Sequence, residues 1–434
     1  MSSKPTPQLS LFDSTCLIVG IIIGVGIYQM APEIARGAGS GWGVAGLWLA
    51  GGVISLAGAL CYAELASAYP KAGGDYVYLT RAYGSWAGFL FGWAQLAVVR
   101  PGDIAVIAFA FATYARAIYD PLAGTAFPWG QELYAVSATV LLTSINILGV
   151  RKGKWTQNLL TTAKALGLLL LVAAALWARP SSPPVEKAGS LPLSLALILV
   201  LFTYGGWNEM AYVAAEVRDP RRNIFRALVA GLAAVTMLYL LVNAAFLRAL
   251  GYDGLAASNA AAADTMAVVW PQAGGVLISA LICLSALGAL NGTIFTGARI
   301  SYALGADHPL FSRAGRWHPR LGTPAVALAL QGAIAVTLLL ALGSFVNAVL
   351  YTAATVYSFY LASTVAVIVL RFKEPAVERP VRVWGYPWVP LVFAGVCAWL
   401  IYSAIEYNPK IAALSSALLL LGVPLWRWSC RLSG

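Results

Sequence analysis

Long apolar runs recur along the whole chain, and they constrain its fold more than any motif does. Leu166–Trp177 and Leu191–Phe202, for example, contain no charged residue. Only 10% of all residues are charged, whereas a soluble domain usually carries about 25%. Segments that cross hydrocarbon must be helices or closed barrels, because every backbone polar group needs a partner inside the protein. Uninterrupted apolar runs exclude the alternating pattern of a barrel strand, so the sequence predicts an all-α membrane protein.

The apolar runs divide into about twelve segments that are long enough to cross a bilayer as helices. Their predicted ranges are 14–36, 42–68, 85–116, 131–149, 155–177, 191–216, 224–250, 271–303, 324–341, 344–370, 388–406 and 409–428. The connecting loops are short, so we expect a single polytopic domain without a soluble appendage.

Lysine and arginine residues are distributed unequally between the two predicted sides of the membrane. With the N-terminus in the cytoplasm, 20 of the 28 lie in cytoplasmic segments and 6 in segments on the other side. Arg100 and Lys164 remain inside the membrane. Because cytoplasmic loops carry the excess of basic residues, both termini are predicted to be cytoplasmic. The net charge of +11 then follows from topology, and we expect no nucleic-acid partner.

Two glycine pairs interrupt apolar segments that are five spans apart. The first lies in IIIGVGIYQ (21–29) and the second in LFTYGGWNEM (201–210). Glycine inside a helix destabilises it by roughly 0.5–1 kcal/mol relative to alanine. Interrupted helices at corresponding places in two halves indicate an inverted repeat with a binding site near the bilayer midplane. The alternative is close helix packing through small residues, which Gly20 and Gly24 fit.

An interrupted helix would give such a site its chemistry. The interruption frees backbone N–H groups and carbonyls, and each half-helix adds its own dipole. A carboxylate can then be held at one end and an ammonium group at the other.

Six motifs occur in order along the chain. They are GIIIGVGIY, YAELASAYPKAGGDYVYL, RPGDIAVIAFAFATY, FTYGGWNEM, EVRDPRRNIFRAL and NGTIFTGARISYAL. Together they resemble the amino acid–polyamine–organocation superfamily and, within it, the L-type amino acid transporter branch. The resemblance covers nearly the whole chain and implies a secondary transporter of amino acids in the plasma membrane, which works by alternating access.

The resemblance also implies a LeuT-type fold with two inverted repeats of five helices. The first repeat would cover 14–177 and the second 191–370, with spans one and six broken and two peripheral helices at 388–428. The substrate would be held by the unwound parts of the broken spans. Matched position by position, the implied substrate-binding residues are Ile23, Gly24, Val25, Gly26, Phe202, Thr203, Tyr204, Gly205 and Asn208.

Lys164 lies in the middle of the apolar fifth segment. A lysine at a helix centre costs roughly 3 kcal/mol, so its side chain should face the protein interior. It could cap backbone carbonyls freed by the break in span one. Sodium-independent members of the superfamily carry a lysine at the matching position, where sodium-coupled relatives place a sodium ion. The resemblance therefore implies that transport does not need sodium.

Three residues depart from the family pattern. Val25 replaces a serine that would help to hold the substrate carboxylate, and Asp103 and Glu209 add carboxylates near the implied site. Two added anions favour a substrate with a second cationic group, so a cationic amino acid or polyamine transporter, with or without proton coupling, is the alternative. Arg100 stands three residues before Asp103 on the same helix, and an ion pair between them would instead neutralise both charges. Glu209 could likewise pair elsewhere or line the aqueous path.

Other classes of function find little support. His308 and His318 lack metal-ligand spacing, no phosphate-binding loop is present, and no catalytic constellation is recognisable. We therefore expect neither an enzyme nor a bound metal or cofactor. A non-transporting membrane sensor would not need broken helices. Mammalian members of the branch join a heavy chain through a cysteine between spans three and four, and this chain has none there, so we expect no disulfide-linked partner.

Overall fold

The computed structural model describes residues 10–70, 74–123, 129–148, 154–177, 189–211, 217–316, 318 and 323–433. Within these ranges the regular elements are helices, and an isolated β-bridge pairs His318 with Thr323.

The helices of the first half precede residue 178. They are α1 (Leu11–Ile22), α2 (Gly26–Gln29), α3 (Ala31–Ala38), α4 (Gly41–Ala68), α5 (Asp75–Tyr83), α6 (Ser85–Ala94), α7 (Arg100–Ile118), α8 (Gly130–Leu148) and α9 (Lys154–Trp177). A π turn, Gln95–Val99, joins α6 to α7.

The helices of the second half begin after residue 190. They are α10 (Leu193–Thr203), α11 (Pro220–Ala257), α12 (Ala261–Val269), α13 (Gly274–Asp307), α14 (Ala325–Leu342), α15 (Phe345–Lys373), α16 (Trp388–Tyr407) and α17 (Pro409–Ser433). Two 3-10 segments, Trp207–Ala211 and Pro309–Phe311, complete the described elements.

Several helix starts follow from local capping chemistry. The Ser10 hydroxyl accepts the N–H of Asp13 at 3.1 Å, and the Asp13 carboxylate accepts the N–H of Ser10 at 3.0 Å, which forms a capping box before α1. Ser40 and Ser344 cap α4 and α15 in the same way, each accepting an N–H three residues ahead. A short polar side chain thus begins each of these long apolar helices.

The prediction of a helical membrane protein is confirmed. Among the described residues, ten helical segments are long and apolar enough to cross a membrane. The two predicted spans that are not among the ten correspond to α8 and α9, of which α9 contains a shorter apolar helix, Lys164–Trp177. The number of twelve spans and the boundaries of the two repeats stay predictions.

Both predicted interruptions are present. The first span stops at Ile22 and resumes at Gly26, and the second interrupted span stops at Thr203 and resumes at Trp207. The two broken spans lie side by side: α1 contacts the 3-10 segment Trp207–Ala211, and α3 contacts α10. The first half of each span therefore meets the second half of the other, which is the packing of antiparallel neighbours.

Two long helices pack against both broken spans. α11 contacts α1, α3 and Trp207–Ala211, and α4 contacts α3, α10 and the same 3-10 segment. α7 packs against α13 and α15. α16 and α17 pack against α15 on the outside of this group, and most of α17 is exposed. The breaks are therefore held in the centre of the protein, where helical backbone is otherwise complete.

Candidate functional site

The first break leaves three backbone donors without a helical partner. The N–H of Ile23 still reaches the Val19 carbonyl at 2.9 Å, and that of Gly24 turns back to the Ile22 carbonyl at 2.7 Å. The N–H groups of Val25, Gly26 and Ile27 make no hydrogen bond to any residue that the structure describes. These groups form the N-terminal end of α2, where unpaired N–H groups and the helix dipole favour an anion.

The second break is a tight turn that only glycine fits well. The N–H of Tyr204 bonds to Val200 at 3.0 Å and that of Gly205 to Phe202 at 2.9 Å. Gly206 then adopts a φ of 107°, a conformation that L residues rarely take. A Cβ at Gly206 would also lie 2.6 Å from Cγ2 of Ile21. Gly206, which we did not select from the sequence, is therefore the residue that the turn requires.

The two glycines of the first pair have different surroundings. A Cβ added at Gly26 would lie 2.9 Å from Oγ1 of Thr203, so Gly26 lets the two broken spans approach closely. At Gly24 the nearest atom to such a Cβ is the Ile22 carbonyl oxygen at 3.9 Å. Gly26 thus fits the packing interpretation of small residues, whereas Gly24 borders open space.

One tyrosine hydroxyl joins the two breaks. Tyr239 of α11 donates to the carbonyl of Ile22 at 2.8 Å and lies 3.3 Å from that of Thr203. These carbonyls end α1 and α10, so the negative ends of two helix dipoles meet at one buried phenol. This role could not be predicted from the sequence, because a tyrosine in an apolar helix is ordinarily a core residue.

The remaining predicted residues around the breaks are placed in different ways. Ile23 and Val25 bury their side chains at 1% and 4% exposure, so a ligand could reach only their backbone groups. Tyr204 is fully buried, and its hydroxyl donates to the Trp48 carbonyl at 2.9 Å. Its ring therefore fixes α10 to α4. Phe202 is half-buried, which leaves its ring available to cover a ligand.

A charged cluster lies beside the second break. Nη2 of Arg100 lies 2.9 Å from Oε1 of Glu209, with side-chain exposures of 11% and 28%. Arg100 is the first residue of α7 after the π turn, and π turns often occur at functional sites. Asn208, the neighbour of Glu209, accepts a hydrogen bond from the Tyr360 hydroxyl at 3.0 Å. The 3-10 segment is thus tied to both α7 and α15.

Asp103 lacks the partner that the sequence suggested. Arg100 forms its ion pair with Glu209, 109 residues away, and no ion pair joins Arg100 to Asp103. Asp103 makes no hydrogen bond or ion pair with any described residue, although Arg100 and Glu209 act on its carboxylate electrostatically. Arg100 thus forms its ion pair with Glu209 and acts on Asp103 through the electrostatic field, and the role of Asp103 in substrate binding stays a prediction. We call Arg100, Asp103 and Glu209 the Arg100 cluster.

Lys164 is buried in α9, at 8% exposure. α9 packs against α1 and α11, so the lysine belongs to a helix that borders the first break. No hydrogen bond links its ammonium group to a carbonyl of α1 or to any other described residue. Its replacement of a sodium ion stays a prediction. In the described part of the chain, no three His, Cys, Asp or Glu side chains are grouped as metal ligands.

Comparison with known proteins gives a consistent result. The family described as amino acid permease matches residues 9–422. The large neutral amino acids transporter small subunit 2 of Mus musculus is 31% identical over 439 aligned residues, which cover 96% of this chain and 80% of the relative.

Two further relatives cover this chain to a similar extent. The b(0,+)-type amino acid transporter 1 of Mus musculus is 31% identical, over 95% of this chain and 86% of its own length. The serine/threonine exchanger SteT of Bacillus subtilis (strain 168) is 28% identical, over 96% of both chains. All three relatives are transporters or exchangers by name.

Proposed function

The chain belongs to the amino acid permease family of the amino acid–polyamine–organocation superfamily, and we propose that it is a sodium-independent secondary transporter of amino acids. It would work by alternating access, as an exchanger or a facilitator. The observation that carries this proposal is the pair of broken helices whose freed backbone groups of opposite polarity lie side by side.

The two breaks offer complementary charges to a zwitterion. The unpaired N–H groups of Val25, Gly26 and Ile27 present the positive end of α2. The carbonyls of Ile22 and Thr203 present the negative ends of α1 and α10, and Tyr239 holds them together. An α-carboxylate at the first group and an α-ammonium at the second would satisfy both. Backbone donors make this possible although Val25 has no hydroxyl.

The open space at Gly24 and the half-buried Phe202 support the same site. A ligand between the breaks would lie against Gly24, where no side chain intervenes. Phe202 could close over it from α10. The implied contacts of Thr203, Tyr204 and Gly205 would then be made chiefly through their backbone, since Tyr204 is buried against Trp48.

Sodium independence is proposed from Lys164 and its helix. A fixed ammonium group in α9, beside α1, would occupy a place that a coupling cation otherwise fills. We further propose that the protein lies in the plasma membrane with both termini in the cytoplasm, in agreement with the distribution of basic residues. The loop 119–129 contains no cysteine, so the chain would function without a disulfide-linked heavy chain.

Uptake into proteoliposomes tests the proposal. Labelled amino acids are offered one at a time in sodium chloride or choline chloride, to liposomes preloaded with unlabelled amino acids and to empty ones. We expect uptake of at least one amino acid to be equal in both salts, within about twofold. Loss of more than about tenfold in choline would reject sodium independence, and absence of uptake for every amino acid would reject the function.

A further inference from the structure

We infer that the substrates are amino acids with a second cationic group, and that Asp103 recognises that group. This inference rests on the proposed amino acid transport and specifies its substrate class. Two alternatives are that Asp103 lies beside a neutral substrate side chain or that it binds a proton. The experiment below distinguishes them from a cationic substrate.

The first step is the neutralisation of Glu209 by Arg100. Their side chains are 2.9 Å apart, and Arg100 is buried behind the more exposed carboxylate. A charge-assisted pair of this length is among the stronger hydrogen bonds in proteins. Glu209 is therefore committed to holding the 3-10 segment against α7, and it offers little free charge to a ligand.

The second step is the charge left on Asp103. The charged neighbours that act on its carboxylate are Arg100, which favours the charged form, and Glu209, which opposes it, so one arginine serves two carboxylates and the cluster keeps one net negative charge. Asp103 has no ion pair or hydrogen bond with the described residues. An uncompensated carboxylate inside a membrane protein is costly. A cation that arrives with the substrate would supply the missing positive charge.

The third step is the position of Asp103 relative to the two breaks. α7 is bonded to both broken spans: Tyr114 donates to the carbonyl of Tyr28 in α2, at 2.9 Å, and Arg100 pairs with Glu209 after the second break. Asp103 lies about one helical turn beyond Arg100. Its carboxylate and that of Glu209 both act electrostatically on Tyr360, whose hydroxyl donates to Asn208, so Asp103 lies beside the second break.

The exposure pattern of α7 agrees with this placement. Asp103, Ile107 and Phe111 are partly exposed, whereas the residues between them are buried. Residues four apart lie on one face of a helix, so this face borders space that the protein does not fill. Asp103 is the charged member of that face. An aliphatic chain could lie along its apolar members while its cationic end reaches the carboxylate.

Arginine and citrulline provide a matched pair of probes, since they differ in charge but hardly in size. Initial uptake of each is measured in proteoliposomes, together with leucine, for the parent protein and for Asp103→Asn. Asp120→Asn is the control, because Asp120 is a carboxylate at the outer end of the same span and pairs with Arg116 at 2.7 Å. Melting of each purified variant reports its folding.

We expect the parent to favour arginine over citrulline by at least about tenfold in kcat/KM. Asp103→Asn should remove most of that preference and keep leucine or citrulline uptake, while Asp120→Asn should leave the preference unchanged. The inference is overturned if the parent favours neutral amino acids, or if Asp103→Asn keeps the arginine preference.

A third result would overturn the inference by showing that Asp103 binds a proton instead of a substrate cation. In that case an inward proton gradient would accelerate uptake of neutral amino acids by the parent, and Asp103→Asn would abolish the acceleration. In each of these results some amino acid is still transported, so the proposed function would stand. Loss of all amino acid uptake in the parent would instead reject both. If Asp103→Asn fails to fold, the arginine-to-citrulline ratio of the parent decides alone.

Discussion

Two groups of charged residues in this protein are built in opposite ways. The Glu64 network consists of Glu64, Arg371, Arg379, Glu374 and Arg81, and it joins α4, α5 and α15. The Arg100 cluster lies beside the breaks, and only two of its three charged residues form an ion pair. The same residue types serve both groups, so the difference lies in how completely each charge is satisfied.

Glu64 is a buried carboxylate with several hydrogen-bond and ion-pair partners. It is 2% exposed and receives Nε and Nη2 of Arg371 at 2.7 and 2.6 Å. Nε of Arg379 lies 3.6 Å from Oε1 of Glu64, and the backbone N–H of Val383 donates to Oε2 at 2.8 Å. The guanidinium of Arg371 also lies 3.7 Å from the centre of the Tyr386 ring. Each charge therefore has several partners.

Glu374 extends the network to α5. Arg81 reaches it at 2.9 Å, and the Tyr69 hydroxyl donates to it at 2.9 Å. Burial raises the pKa of Tyr69 to about 12, so the phenol stays protonated at neutral pH. Lys373 adds a hydrogen bond to the carbonyl of Ala82 at 3.2 Å. This region holds helix ends together and leaves no carboxylate for a ligand.

The contrast teaches where to look for function in a membrane protein. A buried charge with complete partners contributes to stability when it is kept and destabilises strongly when its partner is lost. A buried charge that lacks an ion-pair partner opposes folding, and a ligand of opposite charge offsets that cost when it binds. Asp103 belongs to the second kind and Glu64 to the first.

The largest effect is expected from removing the central charge of the Glu64 network. Glu64→Gln leaves Arg371 and Arg379 without their carboxylate, and breaking such a buried pair destabilises by roughly 3–5 kcal/mol. The melting temperature in detergent should fall sharply, or the variant should not be recovered folded.

The same change of a carboxylate to an amide at Asp103 provides the matched control. Asp103→Asn breaks no hydrogen bond or ion pair with the described residues and removes a costly buried charge, so its free energy of unfolding should equal that of the parent or exceed it. An equal loss of stability in Glu64→Gln and Asp103→Asn would contradict the claim that the two groups of charges differ in how they are paired.

The next largest effect concerns the turn of the second break. Gly206→Ala must place a Cβ 2.6 Å from the Ile21 side chain at a φ of 107°, which costs roughly 1–3 kcal/mol. We expect a lower melting temperature and a transport rate near background. Gly46→Ala is the control, because a Cβ there meets no atom within 4 Å. Normal transport by Gly206→Ala would show that the turn does not need glycine.

A smaller effect is expected at the hydroxyl that joins the breaks. Tyr239→Phe removes its bonds to the carbonyls of Ile22 and Thr203, a loss of about 1 kcal/mol in stability with a larger fall in uptake. Tyr357→Phe is the comparison, since that hydroxyl reaches the Ile198 carbonyl within intact α10, at 3.3 Å. Uptake should fall in the first variant only. Equal uptake by the two variants would show that transport does not need the Tyr239 hydroxyl.

Local sequence signals predicted the helices and both breaks, because glycine and hydrophobicity act over a few residues. The partner of Arg100 could not be predicted in this way. Spacing on one helix suggested Asp103, whereas the fold brings Glu209 from 109 residues away. Tyr239 was missed for the same reason, as its carbonyl partners lie on other helices. The difference between Gly24 and Gly26 depends on the position of Thr203, which only packing decides.

The central claim is that the substrate lies in the gap between the broken helices, and Gly24→Leu tests it most directly. A Cβ at Gly24 has no neighbour closer than 3.9 Å, so a side chain can start there without a clash, and we expect the leucine to extend into the gap. The measurement is the melting temperature with and without the amino acid that stabilises the parent most. We expect Gly24→Leu to melt like the parent without ligand and to lose the stabilisation by ligand, while Gly46→Leu keeps it. A full ligand-induced shift in folded Gly24→Leu would contradict the claim.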